Sequence, residues 1–225
     1  MLWANAPFAS FCEALPSAAV GCHRAGTSDW PMKSSGYKMF RFSARQKGGR
    51  PMTDRLPAET TNLDRYGDST IPWSKAHGLL ESGPKGPDAG FFLVTVRPDG
   101  RPHTAGVGAV WYEGDLYFTS GSGTLKSRNL ADNAACSVAV KFPGMDLTLD
   151  GEAAIVTESK VLDDVAEIYR QLGWPAEVAG NAFTAPFSAP SAGPPPWNLY
   201  RFSFYKVVGL STDEPHGATR WRFGR

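Results

Sequence analysis

A mainly β (α+β) fold is what this sequence predicts. It should hold six or seven antiparallel strands in a closed or partly open barrel, with a few flanking helices. Three observations carry that reading. Short runs rich in aromatic and β-branched residues recur from residue 90 to residue 223. Tight turns such as "PDGRP", "EGD" and "PGMD" join them, and strands joined so closely must pair antiparallel. The regular alternation of strand and helix that a parallel sheet requires is missing.

Each element follows from its own pattern. "IPWSKAHGLLESG" spaces Trp73, Ala76, Leu79 and Leu80 as one face of a helix, with Pro72 near its start and Gly83 after its end. "GFFLVTVR", "HTAGVGAVWY" and "DLYFTS" read as three strands of a meander, the Asp-Gly of the first turn supplying a positive φ. "ACSVAVKF" and "LTLDGEAAIV" are a fourth and fifth strand. "SKVLDDVAEIYRQLG" places Leu162, Val165, Tyr169 and Leu172 on one helix face. A Pro-rich loop, "APFSAPSAGPPPWN", is too long for a simple connector. "LYRFSFYKVVGL" is a sixth strand. "ATRWRF" is a seventh, with Thr219, Trp221 and Phe223 on one face.

Composition narrows the function classes. The chain has 225 residues, 42% of them hydrophobic, so one domain plus a tail is expected. A net charge of +1 argues against a general nucleic-acid binder, and any anion site must be local. No apolar run is long enough to span a membrane. Cys12, Cys22 and Cys136 fit neither a disulfide framework nor a zinc site, so a cytoplasmic location is expected and Cys136 reads as a buried small hydrophobe. The mildly apolar start "MLWANAPFASFCEALPSAAVG" makes a poor signal peptide, and residues 33–55 are basic and lack a hydrophobic period, so residues 1–55 stand apart from the rest. They are expected to be a disordered arm or an extension upstream of a true start at Met52, ahead of a domain over residues 65–225. Mass spectrometry of the native N-terminus would test this.

The stretch "TSGSGTLKSRNLADN", residues 119–133, carries the chemistry. Thr124 can cap a short helix with its hydroxyl. Lys126 and Arg128 then add positive charge where the helix dipole is already positive, which costs about 0.3–1 kcal/mol each when exposed. A bound phosphate reverses that sign, because free N–H groups, the Lys and the Arg would share one anion. A solvated helix start with incidental charges is the bland alternative. The loop is not a nucleoside-triphosphatase loop, because Leu125 stands where that motif needs Gly. No nucleophile elbow is present. His23, His77, His103 and His216 lack metal-ligand spacing, and Asp163 and Asp164 read as a solvated surface. His103 alone, at the start of a strand, is placed to reach an anion. An anion cradle without an acid, base or nucleophile suits a protein whose cofactor supplies the reactivity.

Three pieces together resemble the pyridoxamine 5'-phosphate oxidase-like family: "DGRPHT", "YFTSGSGTLKSRNL" and the Gly151-Glu152-Ala153 strand. The resemblance spans roughly residues 70–225 and extends to the flavin/deazaflavin oxidoreductase branch. It implies an FMN-binding split β-barrel and a homodimer with the cofactor between subunits. It also implies cofactor contacts from His103, Thr104, Ala105 and Gly106, from Phe118 and Thr119, and from Thr124, Lys126, Arg128 and Asn129. Lys126 matches the phosphate-binding Lys. His103, Gly108 and Leu125 stand where the founding enzyme has basic residues, and its C-terminal substrate pattern is not found in "ATRWRF". Pyridoxamine phosphate oxidase activity itself is therefore not expected.

The resulting expectation is an oxidoreductase. It would bind FMN or coenzyme F420 by its phosphate and transfer hydride to a small organic acceptor. Trp221 and the loop around Trp197 are candidate walls for that acceptor, against ordinary packing. The alternatives are a non-catalytic flavin-binding or carrier protein, and a structural barrel without a ligand. No catalytic residue is assigned by the sequence, and no metal, nucleic acid or membrane partner is expected.

Overall fold

The protein is described by a computed structural model over residues 55–67, 69–85, 90–188 and 192–224. The expected arm, with Met52, Cys12, Cys22 and His23, lies outside the described residues. Among the described residues, eleven strands join one sheet and three helices flank it. Every strand pairing is antiparallel, as the turns require. The sheet is not closed.

The chain opens with β1 (Glu59–Asn62) and α1 (Trp73–Ser82). The meander follows as β2 (Phe91–Val96), β3 (Pro102–Val107), β4 (Ala109–Tyr112) and β5 (Asp115–Gly121). Next come α2 (Leu125–Asp132), β6 (Ala135–Phe142), β7 (Met145–Ile155) and α3 (Ser159–Gln171). A small hairpin, β8 (Glu177–Ala179) and β9 (Ala182–Thr184), precedes the long β10 (Trp197–Ser211) and β11 (Gly217–Arg222).

The main path runs β1-β11-β10-β7-β6-β2-β3. β10 is its hinge. One edge pairs with β7 along Tyr200–Ser211. The other edge pairs first with β5, through Trp197–Phe202, and then with β11, through Lys206–Ser211. The change of partner falls at a bulge between Phe204 and Lys206. An extra residue bends a strand and sharpens its twist, which lets two different neighbours share one edge.

The expected strand over residues 103–112 divides at Gly108. β3 pairs with β2, whereas β4 turns to pair with β5. The phenol of Tyr169 on α3 donates to the Gly108 carbonyl at 2.8 Å and approaches the Tyr117 carbonyl at 3.3 Å, pinning the break. Tyr169→Phe should lower stability by about 1 kcal/mol, the net value of such a bond. Urea unfolding of the two proteins measures it.

Two apolar cores lie on either side of β5 and β10. The first holds Trp73 and Leu80 from α1, Leu93, Phe118, Phe202 and Trp221. The second packs Leu162, Val165 and Tyr169 from α3 against Tyr117, Phe183 and Leu199. Neighbouring residues of one strand therefore enter opposite cores, as the pleat dictates. This is why β5 is buried on both faces.

The sheet also includes β1, upstream of the expected domain start at residue 65. Its Glu59–Asn62 segment pairs with β11. Just before it, Arg55 reaches Asp115 at 3.4 Å. Asp115 is buried and is held mainly by the Arg201 guanidinium, at 2.7 and 2.6 Å. No described helix is long and apolar enough to cross a membrane.

Candidate functional site

The site grows from the end of β5. Ser120 is fully buried, and the turn Gly121–Thr124 leads into α2. Thr124 caps the helix as its sequence suggests: its hydroxyl accepts from the Ser127 N–H at 3.3 Å. Three hydroxyls then close on one another. Ser120 Oγ lies 2.8 Å from Thr124 Oγ1 and 2.9 Å from Ser127 Oγ. This knot fixes the turn and leaves the N–H groups of Leu125 and Lys126 without intrahelical acceptors. Thr124→Ala should cost about 1 kcal/mol, a typical loss for a cap, while Thr124→Ser should retain most of it. Thermal unfolding of both variants checks this.

Lys126 sits on that first turn and is only 6% exposed. Among the described residues it has no hydrogen bond and no ion pair. Burial alone pushes its ammonium below the ordinary lysine range, with no carboxylate to offset it. A charge withdrawn from water without a partner is destabilising. The position makes sense if an anion arrives from outside the chain. Arg128 is exposed and folds back so that its guanidinium donates to the Gly123 carbonyl at 2.5 Å. Its charge therefore stays over the turn that opens the helix.

Asn129 shares the Lys126 face of α2, three residues on. It is 1% exposed and donates to Thr95 Oγ1 on β2 at 2.9 Å. Thr95 stands opposite His103 on β3, with Oγ1 at 3.5 Å from His103 Nδ1. The fold thus brings Thr124, Lys126, Arg128, Asn129 and His103 to one corner of the molecule.

The remaining expected residues divide. Ala105 is half-buried on the His103 side of β3, whereas Thr104 and Gly106 are exposed on the other side. Thr119 is half-buried where β5 pairs with β10. The Phe118 side chain is in the first core, stacked on Tyr200 with ring centres 5.2 Å apart. Only its backbone is left for a ligand. Trp221 and Trp197 are 0% and 2% exposed, so ordinary packing accounts for both rings. The Pro-rich loop does reach the site. A Cβ on Gly121 would lie 2.5 Å from the Ala192 carbonyl oxygen, so that segment rests directly on the turn.

Thr95, Ser120 and Ser127 were not singled out by their sequence. A faint signal existed for each. Thr95 is a hydroxyl on the inward face of an apolar strand. Ser120 ends such a strand, and Ser127 stands three residues after the cap. Elsewhere, Asp164 accepts from the Tyr112 phenol at 2.5 Å and pairs with Lys160, tying α3 to β4 rather than forming an acid–base pair with Asp163. Burial pushes the Cys136 thiol up to about 12, so it behaves as the small hydrophobe its strand suggests. Among the described residues no group of His, Cys, Asp and Glu gathers to hold a metal ion.

Residues 88–191 match the family model of pyridoxamine 5'-phosphate oxidase. Over that segment the chain is similar to the pyridoxamine 5'-phosphate oxidase family. All three sequence pieces that resemble this family fall inside the matched segment, whereas β10 and β11 lie beyond it. The chain is also similar to several solved structures. An F420 reductase is 21% identical, with a TM-score of 0.42, covering 58% of this chain and 94% of that one. A pyridoxamine 5'-phosphate oxidase-related, FMN-binding protein from Nostoc punctiforme is 19% identical, with a TM-score of 0.42, covering 68% and 91%. General stress protein 26 from Bacillus anthracis is 16% identical, with a TM-score of 0.40, covering 58% and 87%. No curated protein sequence matches this chain.

Proposed function

We propose that this chain is a member of the pyridoxamine 5'-phosphate oxidase-like family and an oxidoreductase that binds FMN or coenzyme F420 by its phosphate. The observation that carries the reading is Lys126, a nearly buried ammonium with no partner among the described residues, at the capped start of a helix. A phosphate supplies the missing charge and accepts from the free N–H groups at the same end. Lys126 would neutralise it. Arg128 would add a second positive charge from the turn, and the open side of Gly123 would let it come close. His103 and Ala105 on β3 and Thr119 at the end of β5 would flank the rest of the cofactor. When bound, the cofactor supplies hydride for a small organic acceptor. The chain's own part is to hold the phosphate and position the ring.

A homodimer fits the same reading. The outward face of β2 carries Phe92, 52% exposed, beside half-buried Val94 and Val96. β3 lies next to it at the end of the sheet path.

The test is direct. The purified protein is titrated with FMN and with F420, each followed by its visible spectrum, and then assayed against quinones, enones and nitro compounds. Micromolar binding of one coenzyme with turnover is expected. Failure to bind either removes the reading, and binding without turnover makes the protein a carrier.

A further inference from the structure

Thr95 is the only hydroxyl among the inward residues of β2, and it is fully buried. A hydroxyl has one proton and two lone pairs to share. The Asn129 amide nitrogen can only donate, so it occupies a lone pair of Thr95 Oγ1 at 2.9 Å. The proton goes to the His103 carbonyl oxygen at 3.4 Å, which can only accept, and the second lone pair faces His103 Nδ1 at 3.5 Å. On a neutral ring, a lone pair offered to Nδ1 makes Nδ1 the nitrogen that carries hydrogen.

We propose that Thr95 is a positioning residue: it ties α2 to β3 across β2 and holds His103 as the Nδ1–H tautomer. The inference rests on the proposed reading of the α2 start as an anion site. Lys126 and Asn129 lie on one helix face, so the bond at Asn129 sets the roll of the helix that carries the ammonium. The same hydroxyl sets the ring on the neighbouring strand. One buried atom therefore aligns two elements that approach the ligand from different sides. Valine at this place would keep the volume and β-branching. It would leave a buried amide donor without an acceptor and an imidazole without a fixed tautomer.

The experiment compares the intact protein with Thr95→Val and Thr95→Ser. Ring nitrogen shifts of His103 are read by NMR without ligand, at a pH where the ring is neutral. FMN and F420 serve as the binding probes. Thr95→Val should turn a single Nδ1–H pattern into a mixture of tautomers. It should also weaken the coenzyme that binds by about tenfold. Thr95→Ser should restore both. An unchanged ring pattern in Thr95→Val overturns the proposal, as does affinity within about twofold of the original. If neither coenzyme binds the unsubstituted protein, the cofactor reading falls, and the ring pattern alone decides the role of Thr95. Should Thr95→Val fail to fold, Thr95→Cys takes its place, because a thiol is a near isostere and a poor donor and acceptor.

Discussion

Lys126→Met is expected to abolish most coenzyme binding and, at the same time, to stabilise the unliganded protein. The two effects have one cause. Removing the ammonium deletes a charge-assisted bond to phosphate, a loss of about 1.5–3 kcal/mol, or roughly 10- to 150-fold in affinity. Without phosphate, the same ammonium is 6% exposed and unpaired, so methionine should fold better by about 1 kcal/mol. The difference has a pH signature. Burial lowers the folded-state pKa of Lys126 below its ordinary 10.5. The unfolded chain then binds the extra proton between those two values, so stability rises with pH across that window. The penalty is fully present below the folded pKa and has gone once pH passes 10.5. Urea unfolding of both proteins from neutral to alkaline pH should show the methionine advantage shrinking. A variant no more stable than its parent would show that Lys126 is compensated within the chain.

Gly151→Ala should be the most damaging single methyl in the sheet. Gly151 on β7 faces Phe204, the last residue of β10 before the bulge. A Cβ there would sit 2.3 Å from the Ser203 carbonyl oxygen and 2.8 Å from the Phe204 Cα. Both obstacles are backbone, so no rotamer change relieves them. The variant should lose about 3 kcal/mol or more, above the usual cost of overpacking, because strand pairing itself must shift. Gly123→Ala is the control. Nothing lies within 4 Å of its added carbon, and its stability should be unchanged in the same denaturation experiment.

Much of this architecture was legible because local chemistry and tertiary context agree. β2, β6 and β7 alternate with the period of a half-buried strand, and their turns carry the glycines that positive φ demands, as at Gly100 and Gly144. The short hairpin of β8 and β9 was not legible. Three residues per strand are too few to show a period, and only packing on β10 and α3 makes them a ladder. β1 was hidden for the same reason, since its ETTN run has no apolar face and pairs because β11 lies beside it. The break at Gly108 reflects a choice between two partner strands, which one strand's residues do not encode. At the site, the cap and the Lys, Arg and Asn were visible in their spacing. The isolation of Lys126 was not. It depends on the lack of any carboxylate among residues distant in sequence, as does the link from Asn129 through Thr95 to His103.

The place of β10 in the sheet has a consequence for how the protein is made. Strands β2 to β7 leave the ribosome early and can pair with neighbours in sequence as they emerge. The free edge of β7 and the outer edge of β5 must wait for Trp197–Ser211, which is made after both of them. Until then the faces of both cores stand open to water and to other chains. Contacts over such sequence separations form slowly. Loss of Trp197–Arg222 should therefore leave no smaller native domain, only an aggregation-prone intermediate with its meander formed and its cores uncovered.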